Sequence, residues 1–128
     1  MQLPNLKQER GAVAAEFAVI LPILVLLLFG IVQMGLSFQR QQAVHSAARE
    51  AARIASLPIP NAQAEGCARS ADALSGTSFT AAPNCSYLAT CDSGPDVVVE
   101  IRVTNTIEIP FFGTRTFDLV GVGDFRCE

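Results

Sequence analysis

GAVAAEFAVILPILVLLLFGIVQMGLSF, residues 11–38, carries one charged residue, Glu16, and reads as a helix long enough to cross a bilayer. About 20 consecutive apolar residues suffice to span the hydrocarbon core in helical form. Leu24, Val25, Leu26, Leu27, Leu28 and Phe29 put apolar side chains on every face. Such a segment suits lipid or tight subunit contact rather than a single amphipathic stripe. Pro22 marks a helix kink: it would break a helix in water, but a membrane helix tolerates proline when neighbours re-satisfy the freed carbonyl. Gly30, Gly35 and Ser37 give a small-residue surface, although not the four-spaced glycine pair of a strong helix dimer. Two other readings are an uncleaved signal anchor and a signal peptide removed at its far end. The second is disfavoured, because the run exceeds a usual signal core and Ser37-Phe38-Gln39 is no small-x-small cleavage site.

Glu16 is the exception that needs a reason. A carboxylate at the centre of a membrane helix costs roughly 2.5–3.5 kcal/mol, and the cost is smaller but real near the start of the run. A charge kept there calls for a partner. Cutting the chain between Gly11 and Ala12 would create one, because Ala12 would become a cationic N-terminus and Glu16 the fifth residue of the product. Glu16-Phe17 after Gly11 resembles the type IV prepilin signature, in which a peptidase cuts after a glycine and the fifth mature residue is glutamate.

The remaining composition bounds the function. A chain of 128 residues has room for one small domain beside the apolar helix. It has no Trp and one Tyr, Tyr87, and beyond Gln39 it is mildly acidic. A basic surface interleaved with aromatics is missing, which argues against a nucleic-acid partner. His45, the sole histidine, has no Cys or Asp near it in sequence and reads as a surface or packed residue rather than a base. No phosphate-cradling glycine loop, metal-ligand cluster or nucleophile elbow is present. The sequence therefore points to no enzyme, no cofactor, no metal and no small-molecule substrate.

All four cysteines, Cys67, Cys85, Cys91 and Cys127, follow the apolar run. An even number confined to one side of a membrane suggests disulfides in an oxidising compartment. Zinc would want closer pairs, whereas Cys85 and Cys91 are six apart and His45 lies far upstream. The expected topology is N-terminus inside and C-terminal part outside. Charge counting adds little, with Lys7 and Arg10 on one flank and Arg40, Arg49 and Arg53 on the other.

Past the apolar run the chain continues as helix. Gln39 to Ser56 has no Gly or Pro and is rich in Ala, Arg, Gln and Glu, all good helix formers. Ala43, Ala47, Ala51 and Ala55 recur every four residues, with Val44, Ala48 and Ala52 alongside, a narrow small-residue face that lets another helix or a sheet come close. Arg49 and Arg53 are one turn apart, either a solvated stripe or part of the packing face. Pro58 and Pro60 end the helix. Asn61 to Leu74 reads as a short second helix, with Asn61 as N-cap and Gly76 just past its end. Gly76 to Pro95 is polar and turn-rich and reads as loop. Val97, Val99, Ile101 and Val103 then alternate with Glu100, Arg102 and Thr104 in a strand running to Ile109. Pro110 ends it, Phe111-Phe112-Gly113-Thr114 turns with exposed aromatics, and Thr116 to Cys127 supplies a second strand. Two strands alone are marginal, so they are expected to pack on the Ala-rich helix. A turn near Phe112 would return Cys127 close to Cys91, leaving Cys67 for Cys85. The favoured pairs are therefore Cys67–Cys85 and Cys91–Cys127.

Glu16-Phe17-Ala18, Leu21-Pro22, Phe29-Gly30, Gly35, Phe38 and Ala47-Ala48-Arg49-Glu50-Ala51-Ala52-Arg53 together resemble the TadE-like family, pseudopilins of the tight-adherence or Flp pilus assembly system. The resemblance is strong over about residues 11–55 and thin afterwards, and Ala51 stands where members often have glycine. It implies a leader, residues 1–11, removed by a prepilin peptidase on the cytoplasmic side. It also implies a role in assembling or anchoring pili, or a related secretion apparatus, beside other pilins and the assembly platform. The expected organisation is a long helix, 12–57, transmembrane over 12–38 and extracytoplasmic over 39–57. A small disulfide-stabilised α+β domain of pilin-like plan, 58–128, follows, with a short helix and an antiparallel β-hairpin. The expected location is the cytoplasmic membrane, single pass, with entry into a pilus open. The competing reading is a single-pass anchor whose outer domain binds or adheres without joining a filament. Glu16 separates the two, since a plain anchor gains nothing from that carboxylate.

Overall fold

A computed structural model describes residues 6–77, 79, 81–109 and 113–128, with side chains from Gly11 onward. In chain order the elements are α1 (Leu6–Ala55), α2 (Ala62–Leu74), β1 (Asn84–Ala89), β2 (Asp96–Ile109) and β3 (Gly113–Arg126). The class is α+β, as the sequence indicates: a long apolar helix, a short helix and an antiparallel sheet. Two units divide the chain, Met1–Gly35 and Leu36–Glu128.

The first unit contains the earlier part of α1. The helix already runs at Leu6 rather than starting at Ala12. Lys7, Gln8, Glu9 and Arg10 all favour helix, and one glycine at position 11 costs only about 1 kcal/mol. Pro22 sits inside the helix without ending it.

In the second unit the rest of α1 lies against the sheet. Val44, Ala47, Ala48, Ala51, Ala52 and Ala55 are buried, and they meet Val97, Val99, Ile101 and Val103 of β2 and Leu119 of β3. The small side chains let helix and sheet come backbone to backbone. Gly121 and Gly123 complete that approach: a Cβ at Gly121 would stand 2.6 Å from the Val44 carbonyl oxygen, and one at Gly123 would collide with the Ala48 backbone. Helix α1 ends at Ala55, where Leu57 N–H donates to Ile54 O at 3.1 Å and Pro58 bars further turns.

Sheet order is β1-β2-β3, all antiparallel. The expected hairpin exists as β2–β3, paired from Asp96↔Arg126 to Ile109↔Gly113, so β3 starts three residues before Thr116. The third strand was not expected. Asn84–Ala89 lies in the stretch read as loop, yet it pairs with Val98–Arg102 and turns Cys85 and Tyr87 toward the core. Asn61 also differs from expectation. It precedes α2 in the left-handed region (φ 58°) and its side chain makes no capping hydrogen bond. The chain turns sharply there, and asparagine tolerates that conformation better than most residues. Pro110, Phe111 and Phe112, expected at the hairpin turn, lie outside the described residues.

Candidate functional site: an exposed apolar helix and its anchored unit

Apart from the half-buried Gln33 and Ser37, side chains along α1 from Val13 to Phe38 are exposed, including Phe17 at 61% and Leu24 through Phe29. Among the described residues, one helical stretch, Gly11–Ala55, is long and apolar enough to cross a membrane by length and composition. Exposed apolar surface of this extent is unstable in water and marks a lipid or protein contact. Glu16 is its only charge, exposed, and follows Ala12 by four residues, so both lie on one helical face. A Cβ at Gly11, Gly30 or Gly35 would meet nothing within 4 Å. These glycines are open for contacts from outside the chain. Pro22 has no N–H to give the carbonyl of Ala18, which leaves one polar backbone group for a neighbour to satisfy.

Where α1 enters the second unit, polar groups clamp it to the sheet. Arg40 donates through Nη1 to the Asn105 Oδ1, and Gln41 Nε2 donates to Val120 O at 2.8 Å. Asn105 is fully buried, and its Nδ2 has no hydrogen-bond partner among the described residues. Such a group costs about 1–3 kcal/mol. His45 Nε2 lies 3.0 Å from Gln41 Nε2 and so packs beside this clamp.

The structure separates the residues of the expected helix-packing face by burial. Ala47 and Ala51 are buried and Ala43 is partly buried against the core. Arg49 and Arg53 do not belong to that face. Both are exposed, and Arg53 makes an exposed ion pair with Glu50 at 3.9 Å. The buried stripe also takes in Ala55, and Val44, Ala48 and Ala52 alongside.

Helix α2 is held at three points. A Cβ at Gly66 would stand 2.7 Å from Ala51 O and 2.8 Å from the Tyr87 hydroxyl. Tyr87 donates to Gln63 O at 2.7 Å, and burial pushes its hydroxyl pKa above the ordinary 10.0. Cys67 is joined to Cys85, tying α2 to β1, and Cys91 to Cys127, tying the turn after β1 to the chain end. These are the pairs that the hairpin reading favours. Cys127 N–H adds a bond to Pro95 O at 2.8 Å.

Among the described residues no group of three or more His, Cys, Asp or Glu could hold a metal ion. A groove lined by Leu57, Ile59, Gln63, Cys91 and Asp92 is open, and its one thiol position is in a disulfide. The sequence reading overlooked Arg40, Gln41, Asn105, Gly66, Gly121 and Gly123. Only the last two left a signal: isolated glycines inside an alternating strand point to a close backbone approach.

No curated protein and no solved structure matches the chain. From Gly11 to Arg53, the exposed apolar run and most of the small-residue segment, it matches the family model described as TadE-like protein, so the resemblance drawn from the sequence stands over residues 11–53.

Proposed function

We propose that this is a pilus-associated membrane protein of pseudopilin type: a minor pilin-like subunit of a tight-adherence or Flp-type pilus or related secretion apparatus. A prepilin peptidase removes residues 1–11, the apolar part of α1 stays in the cytoplasmic membrane, and the disulfide-bonded unit lies on the extracytoplasmic side. It works in assembly or anchoring, through helix contacts with other pilins and the assembly platform.

One observation carries the reading. Glu16 is the single charge on a fully exposed apolar helix, five residues after Gly11, inside the stretch that matches the TadE-like model. Cleavage after Gly11 gives the α-amine of Ala12, which is largely protonated at neutral pH with a typical pKa of about 7.7–8.0. An ammonium one helical turn from a carboxylate, or supplied by a neighbouring subunit, lowers the cost of keeping both charges in an apolar medium. The intermolecular pair also rewards one axial register when helices bundle. The two disulfides support an extracytoplasmic second unit, since such bonds persist in oxidising compartments.

The test is intact mass of the membrane-extracted protein, expressed with a prepilin peptidase. The wild type should have lost Met1 to Gly11, and Gly11→Val should accumulate uncut, because a side chain there blocks close approach of the peptidase to the backbone. Identical masses for the two would leave a plain membrane anchor in place of a pseudopilin.

A further inference from the structure

We infer that the Cys91–Cys127 disulfide is an exchange site, opened and closed by a thiol that carries a positive charge near its sulfur, while Cys67–Cys85 stays shut. The site lies wholly within the second unit and does not depend on the pilus reading.

Access separates the two bonds. Cys91 is exposed and lines the open groove with Leu57, Ile59, Gln63 and Asp92, whereas Cys127 is half-buried and packs against the core. Cys67 and Cys85 are both half-buried where α2 meets β1, and Cys85 packs against the core. Exchange begins when a thiolate reaches one sulfur of the bond, so access decides which bond reacts. The groove offers Cys91 as that sulfur. The incoming thiolate bonds to Cys91 Sγ as the bond to Cys127 breaks, and Cys127 leaves as a thiolate that takes a proton from water. A second thiolate then attacks the reagent sulfur and releases Cys91. Two thiols are oxidised to one disulfide, and two cysteines are reduced. The freed Cys127 thiol has an acceptor at hand, the Gly94 carbonyl oxygen, 3.9 Å from its sulfur.

Charge selects the thiol. Two charged side chains line the groove, Asp92 and Glu128, and both are acidic. Each adjoins one of the paired cysteines in sequence, so an anionic thiol is repelled from the bond and a cationic one attracted. The surroundings also let the bond reclose. Ser93 N–H and Gly94 N–H both donate to Thr90 O, at 2.9 and 3.1 Å, and Thr90 N–H donates to Ser93 Oγ at 3.0 Å. Cys91 therefore keeps its place in the turn without the disulfide, and the bond from Cys127 N–H to Pro95 O keeps its partner near. β3 runs parallel to α1, since Val120 meets Gln41, Gly121 meets Val44 and Gly123 meets Ala48 in rising order. The strand ends at Arg126, next to Cys127. Opening the bond releases that end from the turn after β1 and leaves Cys67–Cys85 to hold α2 to the sheet. The link across the longer separation, 36 residues against 18, is the one within reach.

The test uses the full chain in neutral detergent micelles, with 2-aminoethanethiol as the cationic thiol and 2-mercaptoethanesulfonate as the anionic one. Products are trapped with a maleimide and peptide-mapped, and each rate is divided by that of the same thiol with a neutral small disulfide. Cys91–Cys127 should open at least about tenfold faster than Cys67–Cys85, with the aminoethanethiol adduct on Cys91. The cationic thiol should outpace the anionic one roughly tenfold at low salt. At 1 M salt, where the Debye length is about 3 Å, the gap should close to within about twofold. Asp92→Asn should narrow the low-salt gap and leave the melting temperature unchanged. Three results overturn the inference: Cys67–Cys85 opening as fast as Cys91–Cys127, an adduct on Cys127, or equal rates for the two thiols at low salt. Opening of both bonds at a rate independent of thiol concentration also overturns it, because that is opening by unfolding.

Discussion

At Gly123 the second unit has no room for one methyl group. A Cβ there runs into the main chain of Ala48, and neither backbone can rotate away as a side chain would. Overpacking of this kind costs about 1–3 kcal/mol, and Gly123→Ala belongs at the upper end. Val122→Ala, next to it on the exposed face, should stay within about 0.5 kcal/mol of wild type. Thermal unfolding of the two variants checks the contrast, and equal melting temperatures would remove the backbone-to-backbone contact from the account. Tyr87 gives a pH-dependent counterpart. Its folded-state pKa is raised by burial, so its contribution is fully present below the unfolded value near 10.0 and is lost as pH rises through the folded value. Tyr87→Phe should lose about 1 kcal/mol at neutral pH with its bond to Gln63 O. Above pH 10.0 its stability should fall less steeply than that of wild type.

Among elements, the legible ones had strong local patterns. Helix α1 was readable from unbroken apolarity and then from alanine spacing, and β2 from strict alternation of Val and Ile with polar residues. β1 was hidden because Asn84, Ser86 and the preceding Pro83 dominate its composition, while its inward residues, Cys85 and Tyr87, are too few to show a period. Its pairing depends on β2 and on the bond to α2, neither of which is local. The small-residue face of α1 was legible, but the element that packs against it was not fixed by it. How closely it is approached depends on Gly121 and Gly123, some 80 residues downstream by sequence count. The disulfides staple these elements across separations of 18 and 36 residues. The loop-entropy model assigns about 3 and about 4 kcal/mol to them. Replacing Cys67 and Cys85 by Ser should therefore cost less than replacing Cys91 and Cys127, as measured by denaturant unfolding. The reverse order would mean that strain or residual structure in the unfolded chain outweighs loop length.

For the whole molecule, the proposed function turns on Glu16. Glu16→Ala should still insert and still be cut, because neither step uses the carboxylate. If the proposed charge pair sets the helix register, it should fail to support pilus assembly and lose cross-links to partner pilins. Normal assembly by that variant would reduce Glu16 to an interfacial charge. The candidate site was legible in the sequence because a charge amid uninterrupted apolarity stands out without any tertiary information. The clamp of Arg40 and Gln41 on Asn105 and Val120 was not, since its partners come from strands far along the chain.

A pilus-associated subunit anchored by one helix would be loaded mechanically, and the parallel run of β3 along α1 decides how it would respond. Tension applied along the helix acts in shear on the Val44–Gly121 and Ala48–Gly123 contacts, so they must yield together instead of peeling one at a time. The Cys91–Cys127 link blocks the alternative route, unzipping of β3 from its Arg126 end. Resistance to force is set by the rate of crossing the unfolding barrier rather than by equilibrium stability. The same close backbone fit that makes this unit intolerant of a methyl group would therefore let it hold a load.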